Sequence, residues 1–187
     1  MLIQMLIDQP QMLVPILKRT PPWVWGLLAA LTLLGLSQAR ARTASVARIA
    51  FMPIAMTALS AWGLASAFAG SPQFGSVLLA WSGAAAIAVG LVTPMAAPAG
   101  TRYDASSRQF RQPGSWVPML LILGIFLTKY VGGIDLAMQP GLVRNSDYAL
   151  ATAALYGLFN GLFIGRAARL WRLAYRPASA STPALNA

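Results

Sequence analysis

The sequence predicts an all-α fold: a polytopic membrane helix bundle of five transmembrane helices, with the N-terminus outside and the C-terminus cytoplasmic. Three observations predict it. Apolar residues make up 57% of the 187 residues and charged residues only 10%, where a soluble domain carries about a quarter charged residues. Five apolar stretches each approach the roughly 20 residues that a helix needs to cross the hydrocarbon core. The arginines gather at alternate connections between those stretches, the pattern left by positive-inside insertion.

Residues 1–17 (MLIQMLIDQPQMLVPIL) are apolar but interrupted by Asp8, Pro10 and Pro15. They are too short and too broken to span, so 1–19, closed by Lys18 and Arg19, reads as an interfacial arm. The first span is 22–39, with Trp23 and Trp25 as interfacial anchors, and Arg40, Arg42 and Arg48 follow it. The second span, 49–69, opens with Phe51 and Pro53, and Gly70-Ser71-Pro72-Gln73 turns the chain. The third span, 75–95, ends at Pro94 and Pro98. A polar loop, 99–115, leads to the fourth span, 116–134, opened by Trp116 and Pro118. A second loop, 135–147, precedes the fifth span, 148–165. The membrane bundle thus occupies 20–176 with its basic juxtamembrane end, and the Ala/Ser/Pro-rich tail, 177–187, is expected to be disordered. Ala39-Arg40-Ala41 imitates a leader cleavage site, but the long segment before the apolar run argues against a cleaved signal.

Orientation follows from counting. One set of connections holds Arg40, Arg42, Arg48, Arg102, Arg108, Arg111, Arg166, Arg169, Arg172 and Arg176 against a single acid, Asp104. The other holds Lys18, Arg19 and Arg144 against Asp8, Asp135 and Asp147. The first set belongs in the cytoplasm.

Composition also removes chemistries. With no cysteine and no histidine, the chain has no disulfide, no thiolate nucleophile, no zinc site of the usual kind and no bis-histidine haem. No catalytic, cofactor-binding or metal-binding residues are expected. The net charge of +10 could suggest nucleic acid. The positives flank hydrophobic spans instead, so anionic lipid is the expected partner and nucleic acid is not.

A few residues could carry a function. Lys129 lies inside the fourth span, roughly 8 Å below its expected outer end at 1.5 Å per residue. It reads either as a site for an anionic group or as a lysine snorkelling to the outer headgroups beside an acid. Tyr156 and Asn160 stand one turn apart in the fifth span. An amide at that depth must face another helix or a polar cavity. Gly157, Gly161 and Gly165 form a GxxxGxxxG stripe, which lets a second backbone approach and is expected to pack within the bundle. Arg102, Arg108 and Arg111 sit in a loop that reads as a hairpin around Asp104-Ala105-Ser106-Ser107. With Arg166, Arg169, Arg172 and Arg176, on a basic amphipathic helix at the inner leaflet, they are the expected contacts for lipid headgroups.

Three pieces together carry a resemblance: Trp23-Val24-Trp25; the stretch Arg108-Gln109-Phe110-Arg111-Gln112-Pro113-Gly114-Ser115-Trp116-Val117-Pro118 leading to Phe126 and Lys129-Tyr130; and Tyr156-Gly157 with Gly161 before Arg166, Arg169 and Trp171. Over most of 20–176 the chain resembles a family of small bacterial inner-membrane proteins known only as a domain of unknown function. The resemblance implies a fold type and a multi-pass location in the bacterial inner membrane, and no activity.

The functional expectation is a non-enzymatic accessory bundle that interacts with itself or a partner complex and with anionic lipid. The alternative is a small transporter or channel for an anionic or amphipathic solute, with Lys129, Tyr156 and Asn160 in its site. A cavity reaching Lys129 separates the two.

Overall fold

A computed structural model describes residues 10–175. Residues 1–9 of the expected arm, Arg176 and the expected disordered tail lie outside the described residues. The described residues are mostly helical, at 75%. A 3-10 turn, Pro10–Met12, leads into α1 (Leu13–Arg19), followed by α2 (Pro22–Gln38), β1 (Arg42–Ser45), α3 (Val46–Phe68) and α4 (Phe74–Val92). Then come β2 (Arg102–Asp104), β3 (Gln109–Gln112), α5 (Val117–Met138), a second 3-10 turn (Pro140–Arg144) and α6 (Ser146–Tyr175).

Among the described residues four helices, α3, α4, α5 and α6, are long and apolar enough to cross a membrane. The expected first span is the exception: α2 has 17 residues, about 25 Å of helix, at the lower limit for crossing. Its start explains its length. Pro21 and Pro22 fix an extended entry followed by proline at the first helical position, so the chain breaks there and α1 is a separate piece.

One boundary differs from the sequence reading. The fourth span continues to Met138, past Gly132-Gly133 and Asp135, which imitate a turn. Asp135 is therefore a buried helical residue, 6% exposed, rather than a loop acid. The fifth span and the basic stretch form one 30-residue helix, because Arg, Ala and Leu after Gly165 are strong helix formers with no breaker among them. The basic stretch, read from the sequence as a continuation of the fifth helix, prolongs α6 through Tyr175.

The bundle divides into two groups. In one, α4 and α6 pack along each other closely, with α3 against α6. A core of Leu64, Phe68, Val77, Ala149 and Ala153 joins these three helices. In the other, α2 runs antiparallel to α5. The Ser115 N–H donates to the Gln38 carbonyl at one end (3.0 Å), and the Thr20 and Tyr130 hydroxyls meet at the other (2.6 Å). Between the groups contact is sparse, and α5 touches α6 at few places.

The all-α expectation needs one correction, a three-stranded antiparallel sheet in the order β1-β3-β2. The hairpin of β2 and β3 follows the Asp/Ser turn. The third strand comes from the first inter-helix connection, with Ala44 opposite Phe110 and Thr43 opposite Arg111. Phe110 is fully buried, and its ring lies 4.8 Å from that of Tyr103. The sheet ties the loops after α2 and α4 to one end of the bundle. At the opposite end Gln73 ties two turns together, donating to the Val143 carbonyl (3.1 Å) and accepting from the Ser146 hydroxyl (2.5 Å).

In the hairpin turn, Asp104 accepts from the Ser106 hydroxyl (2.6 Å), the Ser107 hydroxyl (2.7 Å) and the Ser106 N–H (3.0 Å). These bonds, that of the Ser106 side chain foremost, lower its carboxyl from 3.8 to about 2. A carboxylate depressed in the folded state stabilises the turn above its ordinary pKa and loses that contribution as pH falls through the lowered one. The hairpin should hold at neutral pH and loosen between 3.8 and about 2. In Asp104→Asn the turn should already be loose at pH 7. Hydrogen exchange at Ser106 and Ser107 reads this directly, and unchanged exchange in the variant would refute it.

Candidate functional site

Most polar side chains in the long helices satisfy themselves locally. The hydroxyls of Thr32, Thr57, Ser66, Ser82 and Thr128 donate to carbonyls in their own helices at 2.8 Å, the usual resolution for such residues within a helix. Lys129, Tyr156, Asn160 and Ser60 are different, and all four line one cavity.

Lys129 is the thirteenth residue of the 22 in α5. Because α5 runs on to Met138, Lys129 lies about 14 Å from that helix end, deeper than the sequence suggested. Its side chain turns into the bundle. The ammonium stands 4.7 Å from the centre of the Tyr156 ring, within the range of a cation–π contact. It also rests on Gly63 of α3, where a Cβ would press on Nζ, so the missing side chain makes the space. Asp147 starts α6 nine residues before Tyr156, about 14 Å away along the helix, so the ammonium stands well away from that acid.

The cavity has a volume of about 1020 Å³ and lies between the two helix groups, at the top of the roughly 300–1,000 Å³ range of small-molecule sites. Its walls come from α1 and α2, α3, α5 and α6. They are mostly apolar, with Leu31, Leu59, Ile122, Ile125 and Phe159 among them. Trp23 and Leu27 on α2, and Leu59 and Trp62 on α3, are all exposed and flank it. At the end nearer the N-terminal arm, α1 contributes Ile16 and Arg19, beside the Thr20–Tyr130 hydrogen bond. Deeper in, Ser60 accepts from the Trp81 indole N–H (3.1 Å). Asn160 is only 4% exposed, and its Nδ2 has no hydrogen-bond partner. An amide donor in that position costs about 1–3 kcal/mol until something accepts from it.

The glycine stripe positions this wall. A Cβ at Gly157 would overlap the Trp81 carbonyl, one at Gly161 would overlap the Ala85 carbonyl and press on Ala88 Cβ (2.6 Å), and one at Gly165 would press on Val92 Cβ (2.8 Å). The stripe faces α4 of the same chain, and the adjoining side of α6 turns Tyr156 to the cavity.

The basic residues gather at the sheet end. Arg102, Arg108 and Arg111 are exposed, and Arg102 and Arg111 stand directly opposite each other in the β2–β3 pair. Arg166 and Arg169 are half-buried beside Thr101, Gln112 and Ser115, so they pack on the sheet rather than stand free towards lipid. Arg172 donates to the Thr93 carbonyl at 3.0 Å. Arg42 donates to Gln38 at 2.9 Å, and burial, followed by the nearby Arg48, lowers its pKa.

Sequence reasoning missed Arg19, Thr20 and Tyr130 at the cavity and Gln38 at the α2–sheet junction. The Thr20-Pro21-Pro22 break was the available signal, since it separates α1 from α2 and sets Thr20 beside Tyr130 of α5.

These features define a class: helices with the length and apolarity of a membrane bundle, arranged around a cavity that holds one ammonium. Within that class the chain belongs to DUF6622, a family of unknown function whose model matches residues 1–181. The match takes in the N-terminal arm, beyond the 20–176 over which the resemblance was read. No curated protein and no solved structure matches the chain.

Proposed function

We propose that this chain is a non-enzymatic, five-span protein of the bacterial inner membrane that binds an amphipathic, anionic solute in the cavity and moves or presents it within the bilayer. The observation that carries this reading is the convergence of Lys129, Tyr156 and Asn160 on one large apolar cavity. A lysine at the centre of a membrane helix costs about 2.5–3.5 kcal/mol on insertion scales, and such residues mark functional paths when they face a cavity. An accessory bundle would need only a lysine that reaches the headgroups. The glycine stripe offers no support for self-association either, because α4 already covers it.

Two features support the topology. The antiparallel contact of α2 with α5, anchored at both ends, carries α2 across most of the span that α5 makes. The sheet gathers Arg40, Arg42, Arg48, Arg102, Arg108 and Arg111 at the end where α6 brings Arg166, Arg169 and Arg172, and that end is cytoplasmic by the positive-inside rule. Arg102, Arg108 and Arg111 then face the anionic inner leaflet, each contributing about 1 kcal/mol near the surface.

Native mass spectrometry of protein released gently from the membrane tests the reading. The wild type should carry one bound species of discrete mass, and Lys129→Met should lose it while keeping its fold. The same spread of bulk lipids on both proteins would sink the proposal. A second protein held in fixed ratio would restore the accessory role.

A further inference from the structure

Resting on that reading, we infer that the occupant's polar group is a single carboxylate seated between Lys129 and Asn160, on a long hydrocarbon chain. The argument begins with charge. One ammonium lies deep in the cavity, while Arg19 is exposed at its arm end. An ionised carboxylate brings one negative charge to that one ammonium. A phosphate monoester, with up to two, would bury a charge without a partner, which is strongly unfavourable in a low dielectric.

The hydrogen-bond inventory agrees. The unpartnered Asn160 Nδ2 needs an acceptor. The Lys129 ammonium has three donors, and the Tyr156 ring face occupies only one side of it. The ammonium from α5 stands at Tyr156, and Asn160 follows one turn further along α6. A carboxylate is acceptor-only and has two oxygens, one for each. An alcohol or ester could satisfy Asn160 but would bring no charge to the ammonium.

The surroundings supply the rest. Beyond the polar group the walls are hydrocarbon, and the side between α2 and α3, flanked by Trp23, Leu27, Leu59 and Trp62, gives an alkyl chain a path to lipid. A long-chain fatty acid has this shape and charge: its carboxylate sits inside the bundle and its tail leaves sideways.

The test uses the full-length protein in a neutral detergent at pH 8 with cis-parinarate, a fluorescent fatty acid, and with its methyl ester. The acid should bind about tenfold or more tightly than the ester, as expected of a charge-assisted pair. Lys129→Met should erase that preference, and Lys129→Arg, which keeps the charge, should retain it. Asn160→Ala should weaken the acid several-fold and leave the ester unchanged. Elution of each variant at the wild-type volume establishes that it is folded. Equal binding of acid and ester to the wild type would overturn the carboxylate while leaving the cavity reading intact. So would displacement of parinarate by lysophosphatidate at lower concentration than by oleate. If neither acid nor ester binds, the cavity reading falls with it.

Discussion

Gly161→Leu is expected to leave no folded protein in mild detergent, and Gly157→Leu to do the same. The reason is what a side chain would meet. At both positions the nearest atoms belong to the α4 backbone, the Trp81 and Ala85 carbonyls, which cannot swing aside as a flexible side chain can. The helices would have to separate, and the separation would propagate. Val77 of α4 and Ala149 and Ala153 of α6 share the core that also holds Leu64 and Phe68. Overpacking a core costs about 1–3 kcal/mol when side chains can adjust, and more when backbone must move. Interhelical hydrogen bonds in membranes, at about 0.6 kcal/mol on average, are too weak to offset this. Gly83→Leu is the control, because a Cβ there meets nothing within 4 Å. The readout is size-exclusion chromatography with a thermal melt of each variant. If Gly161→Leu melts like the wild type, α4 and α6 do not approach as closely as described.

How much of this was legible in the sequence depends on the range of the interaction. The long helices were legible because hydropathy is a local property and each carries its own signal. The hairpin was legible because Asp104, Ser106 and Ser107 specify its turn within four residues. The strand Arg42–Ser45 was not, since its pairing with Gln109–Gln112 joins segments separated by two helices, and four residues carry little pattern of their own. The end of α5 was misread because Gly132, Gly133 and Asp135 imitate a turn, while Asp135 is in fact buried in the helix. For the site, the chemistry was legible and the geometry was not. Lys129, Tyr156 and Asn160 stand out as polar groups in apolar runs. Their meeting at one cavity depends on the rotation of α5 and α6 about their axes. The glycine stripe sets part of that rotation through α4, a partner the motif itself does not name.

The second large effect concerns topology, and the absence of cysteine from the chain makes it simple to read. Single cysteines placed at Ala105 in the hairpin, at Gly141 in the opposite turn and at Gln11 before α1 all fall at exposed positions. With the proposed orientation, in which the positive-inside rule puts the arginine-rich sheet in the cytoplasm, a membrane-impermeant maleimide should label Gly141→Cys fully in intact bacterial cells and Ala105→Cys only after permeabilisation. Gln11→Cys decides the number of spans. If α2 crosses beside α5, residue 11 lies on the side of residue 141 and is labelled in intact cells. If only the four longer helices cross, residue 11 stays on the side of the sheet and is protected. That outcome would also remove α1 from the outer end of the cavity and leave Thr20 without its place beside Tyr130. Reversal of the first two patterns would instead place Lys129 nearer the cytoplasmic face, so that an anionic amphiphile would enter from the inner leaflet. The three variants thus fix the side from which the cavity is reached as well as the number of crossings.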